Sequence, residues 1–284
     1  MAAYRFCRTD DIPLLVEAYN LCYAVHFPGE PPLTVARFKA LVHDLNLWCS
    51  SCMVATEGNL PIGVLLAAKR DQGTLIYRLG IATAHQRAGH GRHLLNSLSQ
   101  KLAILGPPTL MAEVPAPWEP CRKFFSACDY TAGISYSDFV LEGSPAAGGK
   151  SDLITPVSLD ELHASGALNP GPDLSWWRSL KTLENRREQL HGLAVASDLR
   201  MEAWLLYATN TQDGSLEVMA MGRAPGQQSG ALLGILVRQL AGRDGARVSL
   251  PRISPGEMDL QELESLGFRR VRDYVRYTAT AAPA

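Results

Sequence analysis

The sequence predicts an α/β chain of the α+β type, built as two domains that repeat one order of elements, each a mixed, mostly antiparallel sheet with helices on both faces. Three observations carry this. Three strand-like runs in the first half are separated by the short turn signals EGN and DQG, which suit antiparallel hairpins. A Gly-rich turn then joins the third run to a long helical pattern and a further strand, making a βαβ unit. After the small-residue segment EGSPAAGGKSD, residues 142–152, the same order returns in weaker form, as a divergent duplication would give. The 284 residues suffice for two cores, and the expected domains are 1–145 and 146–284.

Each element has a local reason. Residues 4–9 read as a strand, and Asp10 or Asp11 can cap a helix with Pro13 in its first turn and Leu14, Leu15, Ala18 and Leu21 as its stripe. HFPGEPP breaks the chain, after which Thr34 can cap a second helix carrying Phe38, Leu41, Val42 and Leu45. Strands follow over 47–57, 62–68 and 74–82, then a helix over 91–105 that stops at Gly106 with two prolines beyond it, then a strand over 110–114. The second half gives a strand over 153–157, helical material to about residue 189, and strands over 193–196, 202–208 and 216–221. A helix over 230–240, a strand over 248–253, a short helix over 260–266 and a strand over 271–277 complete it.

Apolar residues at 46% and charged residues at 19% are those of an ordered globular protein. Lys plus Arg (27) balance Asp plus Glu (28), and the balance holds in each half, so no basic surface of the kind that binds nucleic acid or anionic lipid is expected. No run approaches the ~18 apolar residues of a membrane span, and MAAYRFCRTDDIP lacks the order of a signal peptide, so a cytoplasmic protein is expected. All six cysteines lie in the first half. Cys49 and Cys52 form a CxxC with no second pair at metal-ligand spacing, so buried thiols are preferred to zinc or redox chemistry, and LWCSSCMVATE reads as a strand.

The segment that carries chemistry is LGIATAHQRAGHGRHLLNSLSQKL, residues 79–102. A strand ends, a turn with two glycines follows, and a helix begins whose first N–H groups can point at an anion. Side chains at Gly89 or Gly91 would hold a pyrophosphate away from those amides, and Arg87 and Arg92 bring positive charge. A dinucleotide fold would place its glycines after the first strand, whereas two helices and three antiparallel strands come earlier here.

Gln86, Arg87, Ala88, Gly89, His90 and Gly91, with Arg92 beyond, fit the pattern Q/R-x-x-G-x-G/A, and on this stretch the sequence resembles the GNAT family, the GCN5-related N-acetyltransferases. The resemblance implies that Leu79, Gly80 and Ile81 form the family's bulged fourth strand, whose backbone binds the pantetheine arm of acetyl-CoA. Thr83 stands where a proline is usual. MAEVPAPWEPCRKFFSACDY is similar to the second half-motif, and alignment with the ribosomal-protein alanine acetyltransferase branch puts Glu113 on the glutamate proposed there as general base. The usual asparagine is Trp118, the usual tyrosine that protonates the thiolate is Phe125, and the usual Gly-Phe pair is Asp129 and Tyr130. In the second half, LESLGFRRV matches the closing motif through Leu266, Gly267 and Phe268, while MGRAPGQQSGALLG offers Arg223 and Gly226 without a glycine two residues later. CoA is therefore expected in the first half only.

The implied function is acetyl transfer from acetyl-CoA to a primary amine by direct attack in a ternary complex, with a backbone N–H near Ile81 polarising the thioester carbonyl and Glu113 taking the proton. Direct abstraction from an ammonium calls for a base raised toward neutrality, so a route through water stands beside it. With phenylalanine at 125, the thiolate is protonated by water, by Tyr130 or Tyr136, or leaves as the anion. The alternative is a non-catalytic acyl-CoA-binding module for sensing or assembly, which the missing tyrosine and asparagine favour. His85, His90 and His93 crowd the turn, but with no carboxylate or cysteine spaced to join them the reading is exposed polar residues and no metal. Trp176 and Trp177 are read as core or interdomain packing, with a substrate platform as the lesser alternative, and Arg270, Arg272 and Arg276 as a solvated strand face, with an anionic substrate or a dimer seam as the lesser alternative. The acceptor, a small-molecule or peptide amine, is expected between the loop over residues 23–34 and the final strands.

Overall fold

The computed structural model describes residues 1–27, 31–142, 153–168, 171, 173–197, 200–210, 213–225, 227–242 and 246–283. The expected linker, from residue 143 to 152, lies outside them, as do Gly226 and part of the expected acceptor loop. The chain divides into two compact units: Met1–Gly133 with Val275–Ala284, and Ile134–Tyr274.

In the first unit, strand β1 (Ala2–Phe6) leads through a single 3-10 turn to helix α1 (Ile12–Cys22). Asp11 serves that turn: its carboxylate accepts from the Arg8 amide at 2.8 Å and from both ends of the Arg5 guanidinium at 2.8 Å. The Arg5 guanidinium and the Arg8 amide hold the Asp11 carboxyl down at about 2. Helix α2 (Val35–Leu45) starts where expected, with the Thr34 hydroxyl accepting from the Arg37 amide at 3.1 Å, a cap typically contributing about 1 kcal/mol.

Strands β2 (Met53–Glu57), β3 (Leu60–Arg70) and β4 (Gly73–Ile81) form the expected antiparallel meander, and β1 adds to β2. The first of these strands is shorter than the sequence suggested. Leu47 makes a single bridge to Ala68, then Cys49–Ser51 turn as a 3-10 segment with the Ser51 amide donating to the Trp48 carbonyl at 2.7 Å, so the strand itself begins only at Met53. Helix α3 (His90–Leu105) ends at Gly106, whose φ is +52°, and β5 (Thr109–Pro115) returns parallel to β4. Helix α4 (Glu119–Ser126) follows. Leu94, Leu95, Leu98 and Leu102 of α3 pack on Met53, Leu65, Ile76, Leu110 and Ala112 to make the core.

The second unit repeats the order through β7 (Thr155–Pro156), α5 (Leu159–Ala164), α6 (Leu180–Asn185), β8 (His191–Ala196), β9 (Met201–Thr209), β10 (Leu216–Arg223), α7 (Gln227–Ala241), β11 (Val248–Ile253) and α8 (Leu260–Ser265). The expected helical material before β8 is thus, among the described residues, two six-residue helices and two 3-10 segments, Trp176–Arg178 and Arg187–Gln189. Its core gathers Val195, Leu205, Tyr207, Leu216, Leu233, Leu236, Leu240, Val248 and Leu250.

Two strands cross the sequence halves. β6 (Thr131–Leu141), which closes the first half of the sequence, pairs antiparallel with β11 of the second unit, Val248 facing Leu141 and Leu250 facing Phe139. β12 (Arg269–Thr280), which closes the second half, gives its residues from Val275 onward to the first unit, where Val275, Tyr277 and Ala279 pack on the core and the Ala281 amide donates to the Pro108 carbonyl at 2.6 Å.

All six cysteines are free. Burial pushes the Cys22 thiol up to about 11 and the Cys7 thiol up to about 12, and drives the fully enclosed Cys52 further in the same direction, so these are packed thiols and not poised thiolates. Among the described residues no helix is long and apolar enough to cross a membrane.

Candidate active site

The site begins where two strands part. β4 and β5 are paired only over Thr74–Ile76 and Leu110–Ala112. Against β3, Leu66 faces Arg78 and Ala67 faces Ile76, so Tyr77 is an extra residue and bends β4 away just past the last parallel pair. The bulge of the fourth strand is therefore at Tyr77, and Leu79, Gly80 and Ile81 are the arm beyond it. The Ala82 amide donates to the Ile62 carbonyl at 2.9 Å, and alternation along the strand then turns the N–H groups of Ile81 and Leu79 away from β3 into the opening.

The turn that follows is shaped by left-handed residues. Arg87 has φ +63° and Gly89 φ +87°, and α3 starts at His90. The first helical bond runs from the His93 amide to the Gly89 carbonyl at 3.0 Å, so the N–H groups of His90, Gly91 and Arg92 come before the helix can supply a partner. The two glycines do different work. A Cβ at Gly89 would meet nothing within 4 Å, which leaves open space over the helix start, whereas one at Gly91 would lie 3.2 Å from the Phe124 ring. Gln86 folds back so that its Nε2 donates to the Ile81 carbonyl at 3.1 Å, and His26 Nε2 lies 3.3 Å from the same oxygen.

Arg87 and Ala88 are exposed on the turn, but the Arg92 guanidinium is drawn elsewhere, donating to the Ala127 carbonyl at 3.0 Å behind α4. His90 bonds to the Tyr4 hydroxyl at 2.5 Å, His93 stacks on the Tyr4 ring with centroids 3.8 Å apart, and His85 sits 3.9 Å from Glu57. His90 and His93 thus share Tyr4 while His85 faces Glu57, and among the described residues no group of three His, Cys, Asp or Glu side chains gathers to hold a metal.

Glu113 is the first residue of β5 beyond the paired stretch. Leu110, Ala112 and Val114 point into the core, so alternation puts Glu113 on the opposite, half-buried face. That face of β4 carries Arg78, whose guanidinium lies over the Tyr23 ring at 5.3 Å and the Tyr77 ring at 4.2 Å, and Gly80. The end of α1 presses so closely that a Cβ at Gly80 would come 2.5 Å from the Cys22 carbonyl. A row of stacked rings closes the face: Tyr23 on Phe27 and Phe27 on Trp118, each with centroids 4.6 Å apart. Tyr23 and Phe27 belong to the expected acceptor loop over residues 23–34, whereas Trp118 enters the sequence pattern only as a departure and Arg78 carries no signal there. Of the rings Tyr19, Tyr23 and Phe27, only Tyr19 is in α1; Tyr23 caps its end and Phe27 follows the 3-10 turn Ala24–His26.

Phe125 is buried, edge-on to Tyr130 with centroids 5.2 Å apart and next to Tyr277. The Tyr130 hydroxyl is enclosed and finds no hydrogen-bond partner among the described residues, and burial pushes its pKa up, which keeps the proton on it. Tyr136 belongs to the second unit, where its hydroxyl donates to the Leu174 carbonyl at 3.5 Å. There also Trp176 is buried as expected, and Arg270 is tied to Asp273 at 2.6 Å and to Ser137.

Residues 13–130 match the acetyltransferase (GNAT) family. Among solved structures, a GCN5-related N-acetyltransferase from Sphaerobacter thermophilus is similar over 100% of this chain and 96% of its own, at 14% identity and a TM-score of 0.71. A tandem GNAT protein from the clavulanic acid biosynthesis pathway matches over 100% of both chains at 15% identity and a TM-score of 0.70. A GCN5-related N-acetyltransferase from Anabaena variabilis covers 99% of this chain and 73% of its own at 12% identity and a TM-score of 0.61. No curated protein matches the sequence. The forked β4–β5 pair, the glycine turn and the family match together mark residues 13–130 as a GNAT-type acetyltransferase domain, and the chain as a whole has the fold of a tandem GNAT protein.

Proposed function

We propose that the first unit transfers an acyl group, acetyl as the default, from acyl-CoA to a primary amine by direct attack within one ternary complex. The observation that carries the reading is the fork: two backbone N–H groups, at Leu79 and Ile81, turned into an opening whose other edge bears Glu113. The open space over Gly89 and the amides of His90, Gly91 and Arg92 suit a pyrophosphate at the helix start, with Arg87 supplying charge from the exposed turn. Acyl-CoA supplies the activated carbonyl; the chain supplies position and charge. Ile81 N–H, with that of Leu79 two residues back, donates to the carbonyl oxygen as it gains negative charge, where a preorganised donor contributes most. Glu113 receives the amine proton, directly or through one water, as nitrogen bonds to the carbonyl carbon and the carbon–sulfur bond breaks. Phe125 has no proton to give, and Tyr130 is enclosed and holds its own, so the sulfur departs as thiolate or is protonated by water.

The test is steady-state thiol release from acetyl-CoA by the full chain over a panel of primary amines. A saturable rate with at least one amine is expected. Stoichiometric CoA binding with no turnover on any amine would make the unit a binding module and overturn the transferase reading.

A further inference from the structure

The second unit has a fork of its own, and it is filled. β10 and β11 are parallel only over Leu216–Glu217 and Val248–Ser249. Against β9 the register slips between Val218 and Ala220, which leaves Met219 as the extra residue. Met219 is thus the counterpart of Tyr77. Counting on from it sets Gly222 against Gly80 and Arg223 against Ile81, and carrying the parallel register forward sets Pro251 against Glu113. The candidate base has no equivalent, because proline offers no carboxylate. The turn is also cut down: three residues separate β10 from α7 where eight separate β4 from α3, and the Arg223 guanidinium is held by Glu262 at 2.5 Å.

Between the prongs lies Arg178, its side chain wholly buried. Nη1 donates to the Val218 carbonyl at 2.7 Å and to the Pro251 carbonyl at 3.4 Å, one from each strand just beyond the last parallel pair. Nε and Nη2 meet the Glu257 carboxylate at 2.5–2.9 Å. The guanidinium therefore bridges the strands where their own ladder stops, and Glu257 neutralises a charge that could not otherwise be enclosed.

We propose that Arg178 occupies in the second fork the place that the acyl arm takes in the first, locking the prongs together and closing the unit to acyl-CoA. The second unit is then a scaffold built around an internal ion pair. This rests on the acyl-CoA reading of the first unit, and two measurements separate the parts. Calorimetric titration of the full chain with CoA should give one site, and Gly89→Trp, which blocks the first turn, should leave none. Two sites in the wild type, or a single site whose hydrogen-exchange protection falls on Val218–Gly234, would overturn the closure. No site in the wild type would instead overturn the acyl-CoA reading, and the analogy with it.

The bridging role is judged by unfolding midpoints without CoA. Arg178→Met strands Glu257 as a buried charge and should lower the midpoint by about 10 °C. Adding Glu257→Met removes that charge and should recover more than half of the loss. A single variant as stable as wild type, or a double variant no better than the single, would contradict the assignment.

Discussion

Glu113→Gln is expected to lower kcat for the responsive amine by about 10²- to 10⁴-fold, the range typical of losing a general base, with little change in CoA affinity. The substitution keeps shape and leaves the alternation of β5 undisturbed, since residue 113 faces away from Leu110, Ala112 and Val114. It sits outside the Gly89 turn, so cofactor binding has no reason to weaken. Stopped-assay thiol release with matched CoA titrations checks both halves of the expectation. An unchanged kcat would remove the carboxylate from the mechanism and leave an amine that arrives already neutral.

Gly89→Trp should weaken CoA binding by at least about 100-fold, because losing two amide–phosphate bonds at about 1.5 kcal/mol each is already of that size. The side chain would project into space that is now open, so the fold should survive it, at the cost of about 1–2 kcal/mol for an L-residue at φ +87°. Gly89→Asn is the control. It has the same backbone conformation to hold, which asparagine tolerates, with a short side chain in the opening. If both variants lost affinity equally, backbone strain and not obstruction would be the cause; if neither did, the helix start would not be where the pyrophosphate lies.

Much of this was legible in the sequence, and for identifiable reasons. Helix α3 and its Gly106 stop, the Thr34 cap and the strand over 248–253 follow from signals within a few residues of each other, and the structure has them at those places. The glycine turn was equally local. What escaped depends on partners distant in the chain. Nothing within β6 or β12 says that one pairs with β11 or that the other ends beside the core of the first unit, because strand pattern fixes which face is buried and not which edge is joined. The bulge at Tyr77 needed the β3 register to locate it. Arg178 is interior because Glu257, 79 residues on, and two strand carbonyls meet its donors, and nothing within DLSWWRSL points to them. Trp118 gained a role only when Phe27 came to lie against it.

The central claim is that one fork, the first, holds the acyl arm along β4 and its phosphates at the start of α3. Hydrogen–deuterium exchange of the full chain with and without CoA tests it most directly, since the amides involved are named. The account predicts new protection in peptides covering Leu79, Ile81 and Gly89–Arg92, and none in those covering Val218–Gly234. Protection confined to Val218–Gly234, or exchange at Leu79, Ile81 and Gly89–Arg92 unchanged under saturating CoA, would contradict it.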